Sequence, residues 1–228
     1  MNMVVTEKLA NETNRDYAFR VIRQNIIDTE IKPGSMVGEQ ELAQELNLSR
    51  TPVHEAFLEL SKTRMVEILP QRGCRVSLID PAMIEEARFM RLTMESAIVE
   101  LCCERATEES LSQLEANIKL QEFYLAEQNA VELMRLDNEF HLSLYKICNM
   151  TQCYYIVNSM SIHFDRMRSL SLYSVRDLKI VGDHRRLLDA LRQRDPVLCR
   201  SEVAKHLSRI QYDEMEIRER YPEYFVQS

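Results

Sequence analysis

Glu39 to Leu60 reads EQELAQELNLSRTPVHEAFLEL, and the two apolar periods inside it decide the fold. Leu42, Ala43 and Leu46 recur at helical spacing, and so do Val53, Ala56, Phe57 and Leu60, after a break at Asn47–Ser49. Two short amphipathic helices separated by about three residues fit a helix-turn-helix. The second opens with Ser49, Arg50, Thr51 and Pro52. Ser49 or Thr51 can cap backbone N–H groups, and proline is tolerated in a first turn. A guanidinium and two hydroxyls on exposed first-turn positions suit entry into a DNA major groove, N-terminus first. An ordinary helical hairpin satisfies the same spacing, so the flanking chain has to decide.

Upstream, Tyr17, Val21, Ile22, Ile26 and Ile27 lay an apolar stripe on a first helix that should stop before Lys32-Pro33-Gly34. Downstream, two short runs, Met65–Leu69 and Cys74–Leu78, flank Pro70-Gln71-Arg72-Gly73, which reads as a hairpin tip. A helix, a helix-turn-helix and a two-stranded hairpin together make a winged helix. Arg72 at the tip, with Arg75 just beyond, can reach phosphates or a minor groove.

Leu78-Ile79-Asp80-Pro81 begins something different. Asp80 as N-cap with Pro81 in the first turn is a helix start, reinforced by Glu85 and Glu86 near the positive end of the dipole. The expected domains are therefore residues 1–79, a winged-helix DNA-binding domain, and 80–228, joined by a connection short enough to couple them. Beyond Pro81 the periodicity predicts six helices, at roughly 81–104, 107–128, 130–148, 151–173, 177–193 and 196–218. The fold class is mainly α: an N-terminal winged helix-turn-helix with a small two-stranded wing, then an all-α bundle. Only four glycines and no tryptophan, in a chain rich in Leu, Glu and Arg, agree with that.

A net charge of −7 excludes a non-specific nucleic-acid binder. Residues 1–79 carry 10 Lys+Arg against 11 Asp+Glu, and the remainder 19 against 25, so DNA contact must come from a local basic surface. Six cysteines without a C-x-x-C pair read as thiols in a reducing compartment. No apolar run approaches membrane-spanning length and the start lacks a signal-peptide core, so the expectation is a cytoplasmic protein with no membrane partner.

The expected third, fifth and sixth helices of the bundle carry polar groups on their apolar faces. Asp137 and His141 share the face of Leu133, Phe140 and Leu144; His184 precedes Leu187, Leu188 and Leu191; His206 lies between Val203 and Ile210. A carboxylate buried in a bundle costs several kcal/mol unless paired or bound to a metal. One inward histidine is ordinarily a satisfied core residue, but four such groups on three helices point to a shared divalent metal site. Mixed nitrogen and oxygen donors suit Zn²⁺ first, and also Ni²⁺, Mn²⁺ or Fe²⁺. His163, beside Met160 and Met167, reads as a core histidine.

The string I31-K-P-G, E39-x-E-L-A-x-E-L-x-L-S-R-T-P-V, E55-A-F-x-x-L and P70-Q-R-G-C-R-V resembles the DNA-binding domain of the GntR family over residues 15–79. That resemblance, with the exposed first turn, makes Arg50 and Thr51 the main groove contacts, with Ser49 and His54 beside them and Arg72 and Gly73 at the wing. His54 stands where the family usually has an arginine, and Arg64 where a glycine usually ends the recognition helix.

Residues 81–215 resemble the FCD-type ligand-binding domain of the FadR-like branch, on R91-L-T-M-E95, D137-N-E-F-H141, the block from H184 to D195 and H206-L. The resemblance implies that Asp137, His141, His184 and His206 are metal ligands and that Arg91 meets an effector carboxylate. Arg166 and Arg168 are further pocket candidates, or surface salt-bridge residues. The expectation is a regulator that binds a palindromic double-stranded operator as a homodimer and responds to a small organic acid or sugar acid. Two alternatives stay open: a metal-dependent enzyme built on the same four residues, though no nucleophile or acid–base partner accompanies them, and a regulator whose metal is purely structural.

Overall fold

The structure, a computed structural model, describes residues 3–70, 72–174 and 179–227. Gln71 of the expected wing tip and residues 177–178 of the fifth expected helix lie outside them. The chain divides into two compact units: residues 1–83 with 162–170 and 218–228, and residues 84–161 with 171–217.

In the first unit α1 spans Asn14–Ile27, and Thr13 caps it by accepting the Asp16 N–H. Its stripe, Tyr17, Val21, Ile22, Ile26 and Ile27, is buried against α3, each aliphatic side chain contributing about 1.5–3 kcal/mol of transfer free energy. Helix α2 is Glu39–Glu45 and α3 is Arg50–Lys62, with Val53, Ala56, Phe57 and Leu60 buried. Ser49 occupies the N-cap position of α3, yet its side chain makes no capping bond.

Strands β2 (Val66–Leu69) and β3 (Gly73–Val76) form the antiparallel wing. A third strand, β1 (Met36–Val37), extends the expected pair on the other side of β3, giving the order β1-β3-β2. The turn at Pro33-Gly34 lays the chain along the β3 edge, where Gly34 N–H donates to Val76 O at 2.8 Å and Val76 N–H to Ser35 O at 2.9 Å. Gly73 sits at φ +97°, and a Cβ there would meet the Val37 carbonyl at 3.0 Å, so the wing tip requires glycine.

Residues distant in sequence finish this unit. The Arg166 guanidinium, fully buried, donates to Ser77 O at 2.6 Å and Leu78 O at 3.3 Å. His163 Nδ1 accepts the Asp80 N–H at 3.0 Å. Ile79 N–H donates to Tyr224 O at 2.8 Å and Val226 N–H to Ile79 O at 3.0 Å, a parallel bridge between Ile79 and Phe225. Arg166 is therefore a bracket on the carbonyls that follow the wing. Arg168 pairs with Asp165 at 3.0 Å.

Every regular element among the described residues of the second unit is a helix. Helix α4 spans Pro81–Arg105, and Asp80 Oδ1 accepts the Ala82 N–H at its start, as the sequence predicts. Helices α5 (Glu108–Ala126) and α6 (Ala130–Ile147) follow, capped by Thr107 and Asn129. The single helix expected over 151–173 is two, α7 (Thr151–Met160) and α8 (Ile162–Ser174). Ser161 breaks it, its hydroxyl donating back to Val157 O at 2.8 Å in place of continued helix. Helices α9 (Ile180–Arg192) and α10 (Pro196–Arg220) complete the set. Helices α8 and α10 each contribute residues to both units. Among the described residues no helix is long and apolar enough to cross a membrane.

Arg64 follows α3 at φ +56°, the left-handed conformation in which glycine commonly ends a helix. An exposed arginine pays about 1–2 kcal/mol there, and glycine returns part of that gain as chain entropy. Arg64→Gly should therefore raise the free energy of unfolding by about 0.5–1 kcal/mol, read as a higher urea midpoint; a lower midpoint would refute the assignment of strain.

Burial and the Arg166 charge push His163 down to about 3, consistent with a neutral ring whose Nδ1 accepts the Asp80 N–H. The unfolded chain thus takes up a proton near pH 6.5 that the folded chain refuses until about pH 3. Stability should fall as pH drops through that window, and His163→Gln, which keeps an acceptor, should flatten the fall in the urea midpoint.

Candidate functional site

Helix α6 places Asp137 and His141 one turn apart on its buried face, α9 supplies His184 and α10 supplies His206. One potential ligand atom from each lies within 4.8 Å of the others. All four residues are at most 8% exposed. His141 Nε2 and His206 Nε2 face each other at 3.1 Å, His184 Nε2 lies 3.5 Å from Asp137 Oδ1, and His141 Nε2 lies 3.9 Å from Asp137 Oδ2. The expected quartet is one cluster.

The outer faces of two rings are occupied, which directs their inner nitrogens toward the cluster. His184 Nδ1 donates to Gln121 Oε1 at 2.8 Å, leaving the Nε2 lone pair inward, and the ring stacks on Phe140 at 4.2 Å between centroids. His141 Nδ1 lies 3.0 Å from Glu95 Oε2. Burial, together with the neighbouring imidazoles and the Arg91 charge, holds His206 well below its ordinary value, so its ring is neutral. Bonds of about 2.1 Å to nitrogen and oxygen need donors no more than about 4.2 Å apart, a contraction of tenths of an ångström at the widest here. Three inward imidazole nitrogens facing one carboxylate are the donor set of a borderline divalent cation, and these residues fit it.

Arg91, on α4, reaches Glu95 Oε1 through both Nε and Nη2 at 2.9 Å. Burial opposes ionisation of Glu95, but Arg91 and His141 outweigh it and hold the carboxyl well below the usual range. Glu95 thus joins the arginine expected to meet an effector to a residue of the candidate metal cluster. Tyr145, one turn beyond His141, has a buried hydroxyl with no hydrogen-bond partner among the described residues, and burial with the nearby Glu95 charge pushes it up.

Sequence reasoning assigned no role to Glu95, Gln121 or Tyr145. Gln121 had a signal: it continues the apolar row Leu111, Leu114, Ile118 on α5, where a polar side chain needs a buried partner. Glu95 had one too, four residues after Arg91 on the same helix face.

The residues expected to touch DNA lie in the first unit. Ser49, Arg50, Thr51, His54 and Arg72 are exposed, and Gly73 is half-buried at the wing tip. Arg50 Nε and His54 Nδ1 each lie 2.7 Å from one carboxylate, Glu39 at the start of α2, through its two oxygens. Burial opposes ionisation of Glu39, yet His54 and Arg50 bring it below its ordinary value. The carboxylate presets both side chains on the exposed face of α3.

The chain matches two family models: bacterial regulatory proteins of the gntR family over residues 15–76, and the FCD domain over residues 86–209, more than half its length. It is 28% identical over 208 residues to the HTH-type transcriptional repressor RspR of Escherichia coli, covering 91% of each chain. It is 30% identical over 215 residues to an HTH-type transcriptional regulator in an unstable DNA locus of Streptomyces ambofaciens, covering 94% of this chain and 90% of that one. Escherichia coli McbR/YncC shares its fold, with a TM-score of 0.77 at 19% identity over 92% of this chain and 99% of that one. A GntR regulator structure from Rhodococcus sp. RHA1 does so too, at 0.71 and 20%, over 90% of this chain and 98% of that one.

Removing one partner of a buried ion pair leaves the other charge uncompensated, at about 3–5 kcal/mol. Glu95→Ala should lower the unfolding free energy by about that amount in urea titration. A loss below about 1 kcal/mol would mean that solvent or another group already compensates Arg91.

Proposed function

Because the chain belongs to the GntR family of bacterial regulators and carries an FCD effector domain, we propose that it binds a palindromic operator as a homodimer of the FadR-like branch and answers to a small carboxylate metabolite. Family membership gives it a regulatory, non-enzymatic role. The proposed domains are 1–79 for DNA and 80–228 for metal and effector. The cluster of Asp137, His141, His184 and His206 carries the effector half of the reading, because its four donors converge from three helices in the FCD segment.

At the operator, the first turn of α3 enters the major groove with Arg50 and Thr51 reading bases, Ser49 and His54 beside them, and Arg72 and Gly73 following the backbone. Glu39 holds Arg50 and His54 in place beforehand, which lowers the ordering cost of that contact. One α3 reads one half-site, so a symmetric dimer reads a palindrome.

In the FCD segment the four cluster residues would hold a divalent cation, Zn²⁺ before Ni²⁺, Mn²⁺ or Fe²⁺, which supplies positive charge and open coordination positions to an organic or sugar acid. Arg91 orients the acid's carboxylate, and Glu95 fixes both Arg91 and His141. The acid shifts DNA affinity by favouring one arrangement of the helices over another, a coupling of about 1–3 kcal/mol.

Protein purified without chelators should carry about one divalent ion per chain by mass spectrometry, as a single four-donor site requires, and an Asp137→Ala, His184→Ala variant should carry none. Arg91→Ala should keep operator affinity and lose its modulation by small acids. Metal-free wild type that still binds DNA would remove the cluster from the mechanism. Metal-dependent melting with no acid altering DNA affinity would leave the ion structural.

A further inference from the structure

Four of the six cysteines meet in two pairs inside the helical unit. Cys102 Sγ lies 3.5 Å from Cys148 Sγ, and Cys103 Sγ lies 3.6 Å from Cys199 Sγ. All four are buried, and the first pair also touches the backbone, Cys102 toward Leu144 O and Cys148 toward Ile98 O. The pairs join α4 to the C-terminal cap of α6 and α4 to the first turn of α10. Their level in the bundle is not arbitrary. Glu95 and Cys102, His141 and Cys148, and Cys199 and His206 are each seven residues apart, two helical turns or about 10 Å. The thiols thus form a layer two turns from the candidate metal cluster, on α6 and α10, which carry three of its residues, and on α4, which carries Glu95.

We propose that Cys102–Cys148 and Cys103–Cys199 are dithiol sites that a hydroperoxide converts to disulfides, stapling α4 to α6 and to α10. Each pair must close by about 1.5 Å to reach the S–S bond length, a movement within the reach of side-chain rotation and small backbone shifts. In the first pair Cys148 is the attacking sulfur. Its contact with the Cys102 sulfur and the nearby Arg105 charge draw Cys148 below its ordinary value against the effect of burial. Arg105 also donates to the Cys148 carbonyl at 3.0 Å, and the next residue, Asn149, is exposed, so oxidant has a short way in.

The Cys148 thiolate takes the terminal oxygen of ROOH, cleaving the O–O bond and giving a sulfenic acid and ROH. Cys102 then attacks the sulfenic sulfur and expels hydroxide, which leaves as water with the thiol proton. Two thiols and one ROOH give one disulfide, one ROH and one water; the sulfurs lose two electrons and the peroxide gains them. The second pair follows the same balance. Once formed, the links fix the mutual placement of the helices that carry Glu95, His141 and His206. The chemistry stands whether or not those residues bind a metal.

The test treats the full-length protein, as purified with any bound metal, with graded hydrogen peroxide under native conditions. Remaining thiols are alkylated and peptides are mapped without reduction. The expected result is loss of four of the six alkylatable thiols, with Cys74 outside both links and each link lighter by two hydrogens. Cys148→Ala should lose its link and keep Cys103–Cys199, and Cys199→Ala should do the reverse. Dithiothreitol should restore all thiols. Should a variant fail to fold, the wild-type map alone decides. If the four thiols stay reduced at peroxide levels that oxidise the partly exposed Cys153, or link in another pairing, the proposal falls.

Discussion

Burying a carboxylate among imidazoles is the constraint to which the helical unit is fitted. Asp137 lies at 2% exposure with three histidines around it, and desolvation alone would cost several kcal/mol. Much of the local packing follows from meeting that cost. Gln121 turns inward from α5 to take His184, Phe140 stacks on the same ring, and Glu95 comes across from α4 to His141. Glu95 is itself a buried charge, which in turn draws Arg91 in. Polar groups therefore run inward in linked steps, each stabilised by the next, and the helices that contribute them have little freedom to shift independently.

This linkage bears on how a bound acid could be felt away from its binding point. A carboxylate arriving beside Arg91 would compete with Glu95 for the guanidinium. Any change in Glu95 alters the partner of His141. The coupling would need no long chain of residues, because Arg91 and His141 share one carboxylate. Differential interaction with two such arrangements is what a ligand-driven shift requires.

Much of the fold was legible because its signals are local. The apolar period of α3, the proline-glycine turn at Pro33-Gly34 and the Asp80-Pro81 helix start each act within a few residues. The cluster was legible for a related reason: a polar residue on an apolar stripe is visible in the row it interrupts. The short strand β1 was not, because two residues pair only when β3 lies beside them. The Ser161 break was hidden because one serine inside an apolar helix usually does nothing. The bracketing role of Arg166 was hidden because its partners, the carbonyls of Ser77 and Leu78, are backbone groups that carry no sequence signature. The paired thiols were equally silent, since no spacing rule connects residues 102 and 148.

The parallel bridge between Ile79 and Phe225 has a consequence for how the molecule is made. The unit that contains the recognition helix begins to emerge from the ribosome first, but its last hydrogen bonds wait for residues 162–170 and 218–226. Until then the segment Ser77–Asp80 exposes carbonyl and amide groups that Arg166, His163 and Tyr224 will later satisfy. At bacterial elongation rates of about 5–20 residues per second, that wait lasts on the order of ten seconds. A nascent winged helix would thus spend that interval with an open edge, and full order would arrive only after residue 226 has been synthesised.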